Sequence, residues 1–219
     1  MSVKVKICGI TNLADAQVAV DAGADFLGFN LYAKSPRYIA PEQIAEILTS
    51  LALPSDVQTV GIFVNTPVDD VITILDQTGL DLAQLHGDET EGALATLAGR
   101  GFKALRPTDS AAAKQASVFT SYPQASAPQI LIDAYHPSGY GGTGHQADWS
   151  LAASIAQSTP RLLLAGGLTA ANIQSAIEAV TPWGVDVSSG VETAPGRKDH
   201  KQVRAFIANA RVANAHSSP

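Results

Sequence analysis

Residues 161–190 read RLLLAGGLTAANIQSAIEAVTPWGVDVSSG and contain one complete strand–helix–strand unit. The apolar runs 161–166 and 184–189 have the length of buried strands, and Thr169 precedes a segment with helical spacing, AANIQSAIEAV. Two parallel strands in one sheet need a crossover of this kind. The stretch therefore predicts two parallel strands joined by a helix.

The same alternation continues through the chain. Strand candidates recur at intervals of roughly 20 to 35 residues, which suits one strand and one helix per unit. They cover residues 3–8, 25–30, 57–64, 81–86, 102–107, 129–134, 161–166 and 184–189. The helix signals are Asn12, Pro41, Thr66-Pro67 and Thr169 at starts, and Gly23, Gly79 and Gly101 at ends. Eight such units predict a single (β/α)8 TIM barrel. The alternative, an open doubly wound sheet of about five or six parallel strands, would leave two strands unplaced.

Composition and charge narrow the class of protein. The 219 residues are 46% hydrophobic and 16% charged, with a net charge of -6, which suits one compact core. There is no Lys/Arg cluster for a nucleic acid or an anionic membrane, and no apolar run approaches a span of about 18 residues. We expect a barrel domain over 1–210, a flexible tail over 211–219 and a cytoplasmic location.

Two side chains at strand ends suggest acid–base chemistry. In a barrel, side chains of one parity point inward, and chemistry gathers at the carboxyl ends of the strands. This parity brings Cys8 and Asp133 to the barrel mouth from the first and sixth strands. A thiol and a carboxyl that face each other could act as general base and general acid. The alternatives are a small buried hydrophobe for Cys8 and a loop cap or ion-pair partner for Asp133.

Other inward polar residues lie deeper or have two interpretations. Because an unpaired buried charge is costly, we expect Lys4 or Lys6 to pair with Asp186 as a structural brace. His86 is either a hydrogen-bonded structural histidine or an acid or base. No cluster with metal-ligand spacing accompanies it, so we predict no metal site.

Four loops complete the candidate site. The loops after the seventh and eighth strands, where barrels frequently bind phosphate, contain Gly166, Gly167, Ser188, Ser189 and Gly190. The loop after the sixth strand contains a candidate lid, Gly141, Gly142, Thr143 and Gly144. After the second strand, Arg37 could bind a carboxylate bidentately. Each has a plainer alternative. The glycine and serine loops could be simple turns, the candidate lid could be an ordinary long connection, and Arg37 could be a solvated surface arginine.

Together these motifs resemble the phosphoribosylanthranilate isomerase family of tryptophan biosynthesis. The resemblance covers nearly the whole chain and rests on KICGIT (6–11), KSPR (34–37), GGTG (141–144) and VDVSSGVE (185–192) in this order. It implies an Amadori rearrangement of N-(5'-phosphoribosyl)anthranilate to 1-(2-carboxyphenylamino)-1-deoxyribulose 5-phosphate without a cofactor. It also implies a small phosphosugar substrate and either a monomer or a homodimer.

The resemblance assigns roles to the candidate residues. Cys8 corresponds to the base that takes the proton from ribose C2, and Asp133 to the acid that protonates the furanose ring oxygen. Arg37 corresponds to the contact with the anthranilate carboxylate, and the glycine and serine loops to the phosphate site. We expect Lys6 to depress the pKa of the Cys8 thiol, and burial or substrate charge to keep Asp133 protonated. Departures from the family pattern, which affect packing around the ring and the lid, occur at Asn30, Leu31 and Ala147.

Rival functions differ at the barrel mouth. An indole-glycerol-phosphate synthase or an aminoimidazole ribonucleotide isomerase would place other groups at the barrel mouth, a lysine and carboxylates or two aspartates respectively, and Cys8 argues against both. A noncatalytic phosphosugar-binding barrel would not need Cys8, Asp133 and Arg37 together, and a turnover assay separates it from an enzyme.

Overall fold

The computed structural model describes residues 2–109, 115–134 and 147–213. Within them eight parallel strands form a closed barrel in which each strand pairs with its neighbours in sequence and the eighth pairs with the first. The strands are β1 (Lys4–Cys8), β2 (Phe26–Asn30), β3 (Gln58–Phe63), β4 (Leu82–Leu85), β5 (Gly101–Leu105), β6 (Ile130–Ile132), β7 (Leu162–Leu164) and β8 (Gly184–Val187). The predicted TIM barrel is confirmed, and the open sheet is excluded by the β1–β8 pairing.

Helices connect most of the strands. They are α1 (Leu13–Asp21), α2 (Pro41–Ser50), α3 (Val68–Thr78), α4 (Glu91–Thr96), α5 (Trp149–Ala156), α6 (Ile173–Val180) and α7 (His200–Ala213). Short 3-10 segments follow β5 and β8, at Gln115–Phe119 and Ser189–Val191. A small antiparallel hairpin, β9 (Glu192–Ala194) and β10 (Arg197–Lys198), precedes α7. Of the helices in the described ranges, none has both the length and the apolar character needed to cross a membrane.

Local sequence explains several helix ends. The side chain of Asn12 caps α1 by accepting a hydrogen bond from the amide of Asp15. Pro41 is the first residue of α2, where its missing N–H costs nothing. Gly79 ends α3 at φ 76°, a conformation that other residues adopt at a cost.

Two predicted helix boundaries are wrong. α6 begins at Ile173 rather than directly after Thr169, because Asn172 folds the intervening turn by accepting from the Thr169 amide and donating to the Gly167 carbonyl. Gly101 does not end a helix but lies in β5. Both errors arise where side-chain bonds or strand pairing override a local signal.

The last helix extends past the predicted domain boundary at 210. α7 runs through Ala213, and Arg211 anchors it by donating to the Asp25 carboxylate at 2.7 Å and the Gly23 carbonyl at 2.8 Å. Residues 211–213 therefore belong to the barrel domain, while 214–219 of the predicted tail lie outside the described residues.

Apolar side chains fill the barrel and its outer layer. The interior cluster includes Phe26, Val60, Leu82, Phe102 and Leu131. The opposite faces of the strands pack against the helices in a second, larger cluster. Because the interior is a packed core, the space for a ligand lies at the carboxyl ends of the strands.

Candidate active site

β1 ends at Cys8, beside a buried ion pair. Cys8 is 9% exposed, and Lys6 is fully buried. Nζ of Lys6 donates to Oδ1 of Asp186 on β8 at 2.9 Å. The predicted brace is thus confirmed for Lys6, whereas Lys4 pairs with Asp25 at 2.7 Å.

Gly28 on β2 gives this group its space. It lies opposite Cys8 in the strand register, and a Cβ at Gly28 would stand 3.0 Å from Sγ of Cys8 and 3.1 Å from Nζ of Lys6. Both distances are tighter than ordinary van der Waals contact. Because glycine has no side chain at this position, the Cys8 thiol and the Lys6 ammonium group can both occupy the space beside it.

The surroundings raise the pKa of the Cys8 thiol above its ordinary value. Burial disfavours the thiolate, and the negative charge of Asp186 acts in the same direction. The ammonium groups of Lys6 and Lys198 lower the pKa but do not outweigh these effects. The expected net depression of this pKa by Lys6 is therefore wrong, because burial of the thiol, together with the charge of Asp186, outweighs the lowering effect of Lys6.

Asp133 follows β6 directly and is buried at the same end of the barrel. Its Oδ1 accepts a hydrogen bond from the Ala134 amide at 2.8 Å. Its Oδ2 lies 3.3 Å from Nε2 of His86, close enough for an ion pair but not aligned for a hydrogen bond.

His86 follows β4 and connects this carboxyl group to the barrel interior. Nε2 of Gln84 lies 3.0 Å from Nδ1 of His86. An amide nitrogen can only donate, so in this arrangement a neutral His86 carries its proton on Nε2, facing Asp133. His86 thus has both a structural hydrogen bond and a contact with the candidate acid.

Arg37 is not a solvated surface arginine. It is 8% exposed, and its Nε and Nη2 donate to the carboxylate of Glu192 at 2.7–3.1 Å. A Cβ at Gly9 would lie 2.7 Å from Cδ of Arg37, and Gly9 has φ 76°. The guanidinium stem therefore lies directly over the residue that follows Cys8.

Two charged residues of this site, Glu192 and Lys198, were missed in the sequence. Nζ of Lys198 donates to Oε1 of Glu192 at 2.8 Å and to the backbone carbonyl of Cys8. The side chains of both residues are buried, and both residues lie on the hairpin after β8. A signal was present in the sequence, because the opposite charges of Glu192 and Lys198 come shortly after the end of β8. Nothing in the local sequence, however, indicated that these side chains are buried.

The loops after β7 and β8 meet at the predicted phosphate site. Gly166 and Gly167 have φ 88° and 65°, and a Cβ at Gly190 would overlap the Leu168 carbonyl. Within the described ranges, the amides of Gly167, Ser189 and Gly190 have no hydrogen-bond acceptor. Unpaired amides at touching loops are the groups with which a backbone binds an anion.

Ser188 differs from the other phosphate candidates. Its buried hydroxyl has no partner among the described residues and stands 2.9 Å from where a Cβ of Gly9 would be. Its hydroxyl therefore lies close to the side chain of Arg37 at the barrel mouth.

The predicted lid, Gly141 to Gly144, lies outside the described residues. Ala147, the first described residue after it, is buried and lies 3.1 Å from where a Cβ of Gly166 would be. A small side chain fits this position. In the same described part of the chain, no three His, Cys, Asp or Glu side chains form a group that could hold a metal ion.

Comparison with known proteins supplies the family. Residues 5–209 match the model of the family N-(5'phosphoribosyl)anthranilate (PRA) isomerase. The chain belongs to this family. The resemblance to the family and the predicted class of activity, a PRA isomerase, are confirmed. The two rival barrel enzymes are therefore excluded.

Relatives and solved structures match over nearly the full length. The chain is 49% identical over 216 residues to the N-(5'-phosphoribosyl)anthranilate isomerase of Pelobacter propionicus, covering 99% of both chains. It is 48% identical over 213 residues to that of Geobacter metallireducens, covering 96% of this chain and 100% of the relative. The PRA isomerase structure from Thermotoga maritima has a TM-score of 0.86 at 40% identity, covering 96% and 99%. A PRA isomerase in complex with reduced 1-(o-carboxyphenylamino)-1-deoxyribulose 5-phosphate has a TM-score of 0.82 at 39% identity, with the same coverage.

Proposed function

We propose that the chain isomerises N-(5'-phosphoribosyl)anthranilate in tryptophan biosynthesis with Asp133 as general acid and Cys8 as general base. One observation carries the assignment of roles. Cys8 ends β1 and Asp133 directly follows β6, two strands that lie three positions apart around a closed barrel, and both residues are buried at its carboxyl-terminal mouth. A substrate in that mouth would have the thiol and the carboxyl group on different sides.

The acid step opens the sugar. Asp133 donates its proton to the furanose ring oxygen, the C1–O bond breaks toward that oxygen, and the nitrogen lone pair forms the C1=N bond. The carboxylate that remains lies 3.3 Å from Nε2 of His86.

The base step moves the double bond. The Cys8 thiolate takes the C2 proton, and the electrons of the C2–H bond form C1=C2 while the C1=N pair returns to nitrogen. The enolamine then gains a proton at C1 and loses the C2 hydroxyl proton, which yields the ketone. The buried ammonium of Lys6 stabilises the thiolate, although burial limits how much thiolate forms.

The anionic ends of the substrate suit the rest of the mouth. The free amides at Gly167, Ser189 and Gly190 would bind the phosphate, as helix and loop amides do in other barrels. The Arg37 guanidinium would bind the anthranilate carboxylate, and the hydroxyl of Ser188 beside it is free to contact the substrate.

The test of the activity is direct. Freshly generated phosphoribosylanthranilate, followed by the fluorescence of its anthranilate group, should be converted by the purified chain. Lack of conversion while inorganic phosphate still binds would argue for a phosphosugar-binding barrel without catalysis. The isomerase of Thermotoga maritima is described as dimeric. For this chain, the choice between monomer and homodimer, the cytoplasmic location and the lack of a nucleic-acid partner stay predictions.

Arg37→Ala should raise KM about ten- to a hundredfold and change kcat little. The substrate would lose a charge-assisted, bidentate contact that is present in both the ground state and the transition state. Steady-state kinetics by the fluorescence assay measure both constants. Arg204→Ala, on the exposed face of α7, is the matched control and should leave KM unchanged. An unchanged KM in Arg37→Ala would remove Arg37 from the carboxylate site.

The raised pKa of the Cys8 thiol predicts that kcat/KM increases with pH. Below that pKa the thiolate fraction, and with it the rate, should grow about tenfold per pH unit. Because Cys8 is the only cysteine, the rate of alkylation by iodoacetamide reports its ionisation without ambiguity. Lys6→Met should move the alkylation profile to higher pH. An alkylation rate that stays flat between about pH 6 and 9 would mean that the thiol is already ionised.

A further inference from the structure

The guanidinium of Arg37 is occupied on only one edge. Nε donates to both carboxylate oxygens of Glu192 at 2.9 and 3.1 Å, and Nη2 donates to Oε2 at 2.7 Å. Nη1 makes no hydrogen bond with any described residue. Glu192 therefore takes the Nε/Nη2 edge, and the Nη1/Nη2 edge stays available for a second carboxylate.

Glu192 is itself held in place. Its side chain is buried, and Oε1 also accepts from Nζ of Lys198, which in turn donates to the Cys8 carbonyl. Burial opposes ionisation of Glu192, but the hydrogen bonds from Arg37 and the charge of Lys198 outweigh it and lower the pKa of the carboxyl group. An ionised Glu192 thus connects Arg37 to the β9–β10 hairpin and to the end of β1.

The charges around this carboxylate do not cancel. Arg37 and Lys198 each contribute a cation, and among the described residues Glu192 is the one carboxylate that pairs with both side chains. Burial lowers the pKa of Lys198, and Glu192 offsets part of that effect. The surplus positive charge belongs to Arg37, whose free edge is the place for an anion.

We infer that Glu192, fixed by Lys198 on the β9–β10 hairpin, is a positioning residue that holds Arg37 ready for a substrate carboxylate. This inference rests on the proposed function, since it assumes that Arg37 binds that carboxylate. A free arginine side chain would have to be ordered when the substrate binds. Here three hydrogen bonds order it beforehand, so binding does not carry that entropy loss.

The first test is Glu192→Gln, which should raise KM about tenfold or more while kcat stays within about threefold. The amide offers Arg37 one uncharged acceptor instead of two charged ones, whereas the contact of the Cys8 thiol with Lys6 and that of Asp133 with the Ala134 amide do not involve Glu192. Glu178→Gln, on the exposed face of α6, is the control and should not change KM. Glu192→Asp keeps the charge with a shorter reach and should give an intermediate KM. If Glu192→Gln does not fold, Glu192→Asp provides the test instead.

A ligand comparison separates positioning from a purely structural role. The reduced product analogue should bind the wild type more tightly than the same molecule without its carboxylate. In Glu192→Gln this preference should shrink about tenfold, because only the carboxylate depends on the orientation of Arg37. An equal loss of affinity for both molecules would identify Glu192 as a general structural support and overturn the inference.

A double-mutant cycle distinguishes failure of this inference from failure of the proposed function. Glu192→Gln should add little to the KM of Arg37→Ala, since there is no guanidinium left to position. If it raises KM as much in that background as in the wild type, Glu192 does not act through Arg37. If Arg37→Ala alone leaves KM unchanged, the carboxylate site itself is wrong, whatever Glu192 does.

Discussion

Cys8→Ser is expected to lower kcat by about a hundredfold to ten-thousandfold with little change in KM. General base catalysis contributes an effect of this size, and a serine hydroxyl loses its proton far less readily than a thiol. Serine is similar in size, so it should fit the space above Gly28 that the thiol occupies. The assay is the fluorescence of the anthranilate group during turnover.

Two controls accompany this substitution. The reduced product analogue should bind Cys8→Ser as it binds the wild type, because neither the phosphate cradle nor Arg37 is changed. The thermal unfolding midpoint should also stay close to that of the wild type. A kcat near the wild-type value would show that Cys8 is not the base.

The deuterium isotope effect adds a sharper signature. When the base is weakened, removal of the C2 proton becomes the slow step. Substrate deuterated at ribose C2 should therefore react more slowly in Cys8→Ser, with a larger isotope effect than in the wild type. An isotope effect smaller than in the wild type would place the defect at a different step.

The fold and the placement of Cys8 and Asp133 at one end of the barrel were predictable because both follow from periodicity. Strand and helix signals recur along the whole chain, and strand parity alone directs Cys8 and Asp133 to one end of a barrel. The same parity rule predicted that Lys4 or Lys6 pairs with Asp186, and the structure shows the pair at Lys6, 180 positions away in the sequence. A regular architecture thus converts local patterns into long-range contacts.

Contacts outside the regular strands were not predictable in this way. Glu192 and Lys198 lie on an irregular hairpin, and Arg37, the partner of Glu192, is 155 residues away in another loop. No parity rule connects such positions. Arg37 therefore had two equally open interpretations in the sequence, and its burial against Glu192 excludes only the solvated surface arginine.

The pKa of the Cys8 thiol shows a different limit. The sequence indicates that Lys6 is near, but the sign of the net shift depends on the balance between burial, Lys6, Lys198 and Asp186. That balance is set by three-dimensional distances and by what else each cation contacts. Reactivity at this site is therefore a property of the assembled barrel mouth.

Asp133→Asn is expected to lower kcat by about a hundredfold to ten-thousandfold through a different step. An amide cannot donate a proton to the ring oxygen as a carboxylic acid does, so ring opening becomes slow. The side chain keeps its size, and its oxygen can still accept from the Ala134 amide. Asp70→Asn, on the exposed start of α3, is the matched control and should leave kcat unchanged.

The isotope effect should separate this variant from Cys8→Ser. If Asp133 acts before the C2 proton is removed, slow ring opening hides the later step, and deuterium at C2 should have little effect in Asp133→Asn. The two variants would then share a low kcat but show opposite changes in isotope effect. A large isotope effect in Asp133→Asn would mean that Asp133 acts together with Cys8 in the proton transfer. The contact between Asp133 and His86 would then belong to the second step rather than to ring opening.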